Sequence, residues 1–305
     1  MRLKKRILMR KNPFRGLGVA LITPFLASGE LDEESLRKLV RQHVKEDTDF
    51  LCVLGTTAET PCLTTEERHR IVKIVRQESS GQLPLLLGAG GNCTAEVVER
   101  IGRDDFEGID GLLIVCPFYN KPTQEGLYRH FEAIAATCNL PIVLYNVPGR
   151  TGVNLEAQTT LRLARNFENI VAIKEASGRI GQIEEILGNA PEGFEVLSGD
   201  DGITFELLTL GAQGVISVVG NAFPHEFGTM VHAALEGRWN EALKWQRAFA
   251  PMYKTLFADG NPGGIKHIMA TQQKIQNVLR LPLVPVGAET AAKLTDQCKR
   301  IYHID

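Results

Sequence analysis

Long apolar runs are missing from this chain. No stretch among its 305 residues approaches the ~18 uninterrupted apolar residues of a membrane-spanning helix. The basic start, MRLKKRILMRKNPF, is apolar only from Ile7 to Met9, too short for a signal-peptide core. A charge excess is missing too. The formal net charge is -2 and the pI about 6.4, so no global basic field exists to hold nucleic acid or an anionic membrane. Cysteine is sparse, at six residues. Cys52, Cys62, Cys93, Cys116, Cys138 and Cys298 form no C-x-x-C pair, and Cys52 and Cys116 sit in strand-like apolar runs. They read as reduced thiols rather than disulfides or metal ligands, which points to the cytoplasm.

Several cofactor signatures are also absent. Gly16-Leu17-Gly18 and Gly88-Ala89-Gly90-Gly91-Asn92-Cys93 lack the third glycine of a dinucleotide fingerprint. There is no Walker-A loop and no G-x-S-x-G elbow. His225-Glu226 is followed by Thr229 where a zinc motif needs histidine, and the seven histidines form no ligand-spaced cluster. Neither a metal site nor a serine-hydrolase triad is expected from these motifs.

What is present is a globular composition, 44% hydrophobic and 23% charged. Eight short apolar runs recur: GVALITPF (18–25), FLCVLG (50–55), PLLLGAG (84–90), LLIVCP (112–117), PIVLYNVP (141–148), IVAIKEAS (170–177), EVLSGDD (195–201) and GVISVVGN (214–221). They are apolar throughout rather than alternating, as strands buried on both faces are. Most starts lie roughly 30 residues apart, the length of a strand–helix–strand unit. Helical patterns lie between them. Thr64-Thr65-Glu66-Glu67 reads as a capping box, and Asp32, Thr94 and Thr123 open further helices. Eight units predict an α/β TIM (β/α)8 barrel with a C-terminal helical extension. The expected division is a basic tail over 1–15, a catalytic barrel over 16–236 and an extension over 237–305. Helical stretches are expected near 224–236, 238–257 and 263–302, the last broken around Pro282 and Pro285.

In such a barrel the chemistry sits at the C-terminal strand ends. Lys174 interrupts the apolar run of strand six. An unpaired ammonium there is costly, and burial lowers a lysine's pKa, which makes it a nucleophile for a carbonyl. The alternative is a structural lysine paired with Glu175 or with a carboxylate across the barrel. Tyr145 and Tyr119 are phenols at strand ends, readable as core aromatics or, with the hydroxyls of Thr56 and Thr57, as a proton relay. Arg150 follows a Pro-Gly turn and is either a solvated loop residue or a clamp on a substrate carboxylate. Together these groups suggest a class I aldolase acting on an oxo-acid.

The runs GVALITPF, GTTAET, PFYNKPTQEGLYRHF, YNVPGRTG, IVAIKEAS, LSGDD and GVISV resemble the dihydrodipicolinate synthase family, within the N-acetylneuraminate lyase-like group of barrel aldolases. The resemblance extends from about Gly16 to the C-terminus. It implies condensation of pyruvate with aspartate semialdehyde on the diaminopimelate route to lysine. It implies that Lys174 forms the Schiff base, and that Tyr145, Thr57 and Tyr119 relay protons, Tyr119 across a subunit boundary. Thr56 and Thr57 would bind the pyruvate carboxylate, Arg150 the semialdehyde carboxylate, and Gly199 and Ile216 would line the pocket. The implied assembly is a homotetramer of paired dimers.

The chain departs from the family in places. Ala58 stands where the family has glycine, and Asn261-Pro262-Gly263-Gly264-Ile265-Lys266 lacks the second proline of N-P-x-P-x-K. The family's lysine feedback site maps to Thr60, Pro61, Thr65, Arg68, Asn92, Glu96 and Phe118. Arg68 there would repel a lysine ammonium, so weak or absent lysine inhibition is expected. Two other functions remain open from sequence. One is another pyruvate-dependent aldolase of the group (N-acetylneuraminate lyase or a hydroxy-oxo-acid aldolase). The other is a non-catalytic oxo-acid-binding barrel.

Overall fold

The computed structural model describes residues 12–301. Eight parallel strands close in sequence order into a barrel: β1 Gly16–Ala20, β2 Phe50–Val53, β3 Leu85–Gly88, β4 Gly111–Val115, β5 Ile142–Asn146, β6 Ile170–Glu175, β7 Glu195–Ser198 and β8 Gly214–Ser217. The helices are α1 Glu33–Lys45, α2 Thr65–Ser79, α3 Thr94–Arg103, α4 Gln124–Thr137, α5 Pro148–Thr151, α6 Ala157–Asn166, α7 Ile180–Asn189, α8 Thr204–Thr209 and α9 Pro224–Leu235. α10 Trp239–Leu256, α11 Gly263–Thr271 and α12 Ala288–Ile301 follow the barrel. Each predicted apolar run holds one strand. The TIM barrel with its C-terminal helices is therefore the architecture.

Local chemistry sets the element ends. The Thr64 side chain accepts from Glu67 N and the Glu67 carboxylate accepts from Thr64 N, a reciprocal capping box on α2. Asp32 and Thr123 cap α1 and α4 in the same way with one bond each. Thr94 opens α3 as expected, but as its first residue: the preceding Cys93 makes no side-chain cap, and the Thr94 hydroxyl bonds His130 Nδ1. β1 starts and stops earlier than the run 18–25. Asn221 explains the stop, because its amide takes the Ala20 carbonyl (2.8 Å) and the Ile22 N–H (3.1 Å) away from the ladder. The predicted helical stretch 263–302 is two helices joined by an irregular segment.

Alternate strand residues face the barrel interior, where Phe50, Leu86, Leu113, Val143, Ala172, Leu197 and Ile216 pack together. Phe14 joins them. It precedes β1, is fully buried, and meets Phe50 edge-on at 5.3 Å. Gly111 is glycine because a Cβ there would lie 2.6 Å from the Phe14 ring. Of the basic tail expected over 1–15, residues 1–11 lie outside the described residues, while Phe14 closes the barrel base. The larger apolar cluster lies between the strands and the helical ring.

α10 packs along α9 and α12, and α11 packs on α12. The extension is also tied to the barrel mouth by polar contacts. Arg280 grips the Glu67 carboxylate with both terminal nitrogens (2.7 and 2.6 Å) and also donates to the carbonyls of Gly29 and Cys62. Gly264, where the family has proline, is packed so tightly that a Cβ would meet the Leu256 carbonyl oxygen at 2.2 Å. Glycine there lets α11 lie directly against the end of α10.

Candidate active site

Strand register places Lys174 beside Tyr145, because β5 and β6 pair these two residues directly. Both point into the barrel near its C-terminal end. Lys174 is 6% exposed and its Nζ lies 4.3 Å from the Tyr145 ring centroid. Glu175 points the opposite way, as the next residue of a strand must. Its carboxylate accepts from Asn146 Nδ2 (2.5 Å), Ser177 Oγ (2.5 Å) and Gln182 Nε2 (3.2 Å) outside the barrel. Burial raises the Glu175 pKa despite these donors. Glu175 therefore does not neutralise Lys174, and among the described residues no carboxylate forms an ion pair with it. An amine enclosed in an apolar barrel without a counter-ion can attack a carbonyl carbon.

The neighbouring strand shapes the space around that amine. A Cβ on Gly199 would lie 3.0 Å from Lys174 Cγ and 2.8 Å from Ala176 Cβ, so the glycine leaves room for the lysine stem. Ile216, on β8, is 1% exposed within the same interior cluster. Cys52 also faces inward, and burial pushes its thiol up to about 11 against the pull of Lys174, so it stays protonated and unreactive.

β2 runs into two short 3-10 turns, Thr56–Ala58 and Thr60–Cys62. Thr56 is exposed at the mouth and Thr57 is buried. The left-handed residue of this turn is Glu59, with φ 54°. Ala58 has no such backbone, and its carbonyl accepts from Thr23 Oγ1 (2.8 Å). No left-handed backbone at position 58 requires a glycine. Thr57 Oγ1 accepts from Asn261 Nδ2 at 3.0 Å. An amide NH2 can only donate, so the Thr57 hydroxyl keeps its proton for a different acceptor. Among the described residues Thr57 makes no direct hydrogen bond to Tyr145.

Glu59 carries the rest of the turn. Its Oε1 takes Lys266 Nζ at 2.5 Å and its Oε2 takes the Arg280 N–H at 3.0 Å. Both side chains of the Glu59–Lys266 pair are fully buried. Sequence reasoning did not assign Asn261, Glu59 or Lys266 any role. A lysine within the apolar pattern Gly-Gly-Ile-Lys-His-Ile-Met was the available signal.

At the end of β7, Asp201 accepts from the N–H groups of Val218 (3.0 Å) and Val219 (3.1 Å) at the end of β8. Burial raises its pKa to about 6, although the Ser217 hydroxyl and these two N–H groups oppose the shift.

The remaining predicted residues lie further out. Arg150 is exposed at the end of α5, beside the mouth. Tyr119 is 89% exposed, with a left-handed backbone (φ 75°). It is not brought to the buried Lys174 within one chain. The seven residues mapped to a feedback site divide into groups. Thr60, Thr65 and Arg68 line a groove between α2 and α3. Asn92 donates to the Phe118 carbonyl (3.2 Å) beside it. Pro61 and Glu96 are exposed.

Known proteins resemble the chain over nearly its whole length. The Dihydrodipicolinate synthetase family profile matches residues 13–301. The chain is 54% identical over 287 residues to the 4-hydroxy-tetrahydrodipicolinate synthase of Parabacteroides distasonis, covering 94% of this chain and 97% of that one. It is 53% identical over 286 residues to the enzyme of the same name from Phocaeicola vulgatus, covering 94% and 96%. The crystal structure of dihydrodipicolinate synthase from Thermotoga maritima superposes with a TM-score of 0.92 at 40% identity, covering 95% of this chain and 99% of that one.

Proposed function

The chain belongs to the dihydrodipicolinate synthetase family, and from that premise we propose that it condenses pyruvate with L-aspartate 4-semialdehyde through an imine on Lys174. The observation that carries this reading is the buried Lys174 amine, unpaired and aligned with Tyr145.

The Lys174 amine adds to the C2 carbonyl of pyruvate, and loss of water forms the imine. Loss of a C3 proton then gives an enamine, whose carbon attacks the aldehyde of the second substrate. Attack of that substrate's amine on the imine carbon closes the ring and expels Lys174. Each step moves a proton, and Tyr145 is the hydroxyl-bearing residue that strand register pairs with the lysine. Thr57, its hydroxyl oxygen held by Asn261, extends the relay. Thr56 and Thr57 hold the pyruvate carboxylate, with Gly199 and Ile216 lining its pocket. Arg150 receives the semialdehyde carboxylate at the mouth, where a guanidinium can bind it in a bidentate way.

The exposed, left-handed Tyr119 supports a role across a subunit boundary. A bulky residue held at positive φ stores strain that a binding or catalytic role accounts for. This fits a homotetramer of paired dimers. The proposed division is a catalytic barrel over 16–236 and an extension over 237–305, of which the described part, 237–301, braces the barrel. Among the described residues no helix is long and apolar enough to cross a membrane, and the chain is proposed to work in the cytoplasm on small-molecule substrates without a cofactor.

Borohydride reduction in the presence of pyruvate tests the reading. It should leave a carboxyethyl group on Lys174, absent from Lys174→Ala. An intact protein mass unchanged by the treatment would defeat it. Turnover with pyruvate and each candidate aldehyde then separates the semialdehyde reaction from other aldol reactions.

A further inference from the structure

A buried polar cluster behind the barrel wall joins Lys174 to Arg150. β5 and β6 pair Tyr145 with Lys174 and, one step on, Asn146 with Glu175. The first pair faces the barrel interior, so the second faces outward. Asn146 and Glu175 are both fully buried there.

The cluster reaches the short segment 147–155, which carries Arg150 on α5. Asn146 Oδ1 accepts from the Leu155 N–H (2.9 Å), and its Nδ2 donates to Asn154 Oδ1 (2.9 Å) and Glu175 Oε1 (2.5 Å). Gln182 enters from α7. Its Nε2 donates to the Leu155 carbonyl (3.1 Å) and to Glu175 Oε1 (3.2 Å), and its Oε1 accepts from Asn154 Nδ2 (2.8 Å). Gln124, from α4, donates to the Asn154 carbonyl (2.8 Å). Both ends of the segment are therefore held. Val147 continues directly from β5, and Leu155 is pinned through its N–H and its carbonyl. Within the segment the Thr151 hydroxyl donates to the Val153 carbonyl (2.9 Å). Every side-chain nitrogen and oxygen of Asn146, Glu175 and Gln182 has a partner. A buried network satisfied in this way rigidifies what it holds.

We propose, on the assignment of Lys174 and Arg150 made above, that Asn146, Glu175, Gln182 and Asn154 form the positioning device for the second substrate. The cluster starts one residue from the imine-forming lysine and ends just past the arginine. It thereby fixes how far the guanidinium stands from the Lys174 amine. That span selects an aldehyde whose carboxylate reaches the clamp while its carbonyl meets the enamine carbon. None of the four residues touches a reacting atom. A clamp displaced by ~1 Å loses up to about 100-fold in productive capture.

Steady-state kinetics of the full chain, with both substrates varied, tests this. Gln182→Leu removes the donors to Glu175 and Leu155 at similar volume. Asn154→Ala cuts the same link from the segment's side. Each should raise the semialdehyde KM at least about fivefold, with the pyruvate KM and the rate of borohydride-trapped imine formation within twofold of the parent. A purely structural role would move both substrates together or neither. Arg150→Gln should raise the semialdehyde KM further. In that background Gln182→Leu should add less than about twofold, because the group it positions is gone. A parental semialdehyde KM in both Gln182→Leu and Asn154→Ala, with Arg150→Gln impaired, overturns the proposal and leaves the role of Arg150 standing. So does an equal rise in both KM values, or full additivity with Arg150→Gln. A parental semialdehyde KM in Arg150→Gln overturns the role of Arg150, and the proposal with it. Thermal melts establish that each variant is folded at the assay temperature. Should Gln182→Leu not be, Asn154→Ala carries the test, since it leaves the bonds of Asn146 to Glu175 and Leu155 in place.

Discussion

Removing one member of the Glu59–Lys266 pair should destabilise the protein far more than removing both. The two side chains are fully buried and 2.5 Å apart. Lys266 Nζ has two further neighbours, the Val278 carbonyl at 2.9 Å and the Phe25 ring at 4.3 Å. Burial lowers its pKa, with Glu59 as the main opposing influence. Glu59→Gln leaves that ammonium with neutral acceptors and a ring face but no counter-ion, in a site closed to water. Breaking a buried pair costs about 3–5 kcal/mol. With an unfolding entropy of ~2.1 cal/mol/K per residue, the apparent Tm should fall by roughly 5–8 °C for a chain of this size. Lys266→Met should cost a similar amount, because the Glu59 carboxylate keeps only the Arg280 N–H. The double variant Glu59→Gln/Lys266→Met carries no buried charge at the site and conserves volume, so it should recover at least half of either loss. Differential scanning calorimetry of the four proteins at one concentration closes the cycle. A Glu59→Gln shift worth under about 1 kcal/mol, or a double variant as destabilised as the two singles summed, would refute the reasoning.

Four further outcomes are expected. Asn261→Asp replaces a donor to Thr57 by an acceptor and draws the Thr57 proton onto the new carboxylate; kcat should fall roughly 100-fold, on the scale of a lost proton-transfer group, and the pyruvate KM should rise because Thr57 also holds the pyruvate carboxylate, while parental steady-state rates would contradict it. Asp201 has a folded pKa raised to about 6, so its contribution to stability is present below pH ~3.8 and lost as pH rises through 6; Asp201→Asn should gain on the parent by up to about 3 kcal/mol between pH 4 and 7 in denaturant melts, and a pH-independent difference would count against it. His232 donates to Asp49 across 2.6 Å and its pKa is raised, chiefly by that bond; its ring resonances should titrate above 6.5 by NMR and fall back in Asp49→Asn. Free L-lysine should inhibit weakly or not at all because of Arg68, and full inhibition at micromolar lysine would disprove that.

Much of the fold was legible because its signals are local. The eight strands bury both faces, so each appears as an unbroken apolar run, and the Thr64–Glu67 box is complete within four residues. Lys174 stood out for the same reason, as a charge in an apolar strand. The strand ends were less legible. Asn221 stops β1 from 201 residues away, and no pattern near Ala20 announces it. The irregular segment between α11 and α12 is likewise held by distant partners, Glu59 and Glu67.

By itself, then, the sequence determined the strand–helix repeat, the barrel and the lysine, because periodicity and a misplaced charge are properties of neighbouring residues. Tertiary structure decided the rest. It turned Glu175 away from Lys174 and set Tyr145 beside it, since register is fixed by pairing between β5 and β6. It joined Thr57 to Asn261 and Glu59 to Lys266 across more than 200 residues, making the C-terminal helices the brace of the catalytic turn. It also gathered Arg68, Lys73 and Arg100 at one groove with no carboxylate within ion-pair distance among the described residues, because neutralising contacts depend on what the fold brings within reach.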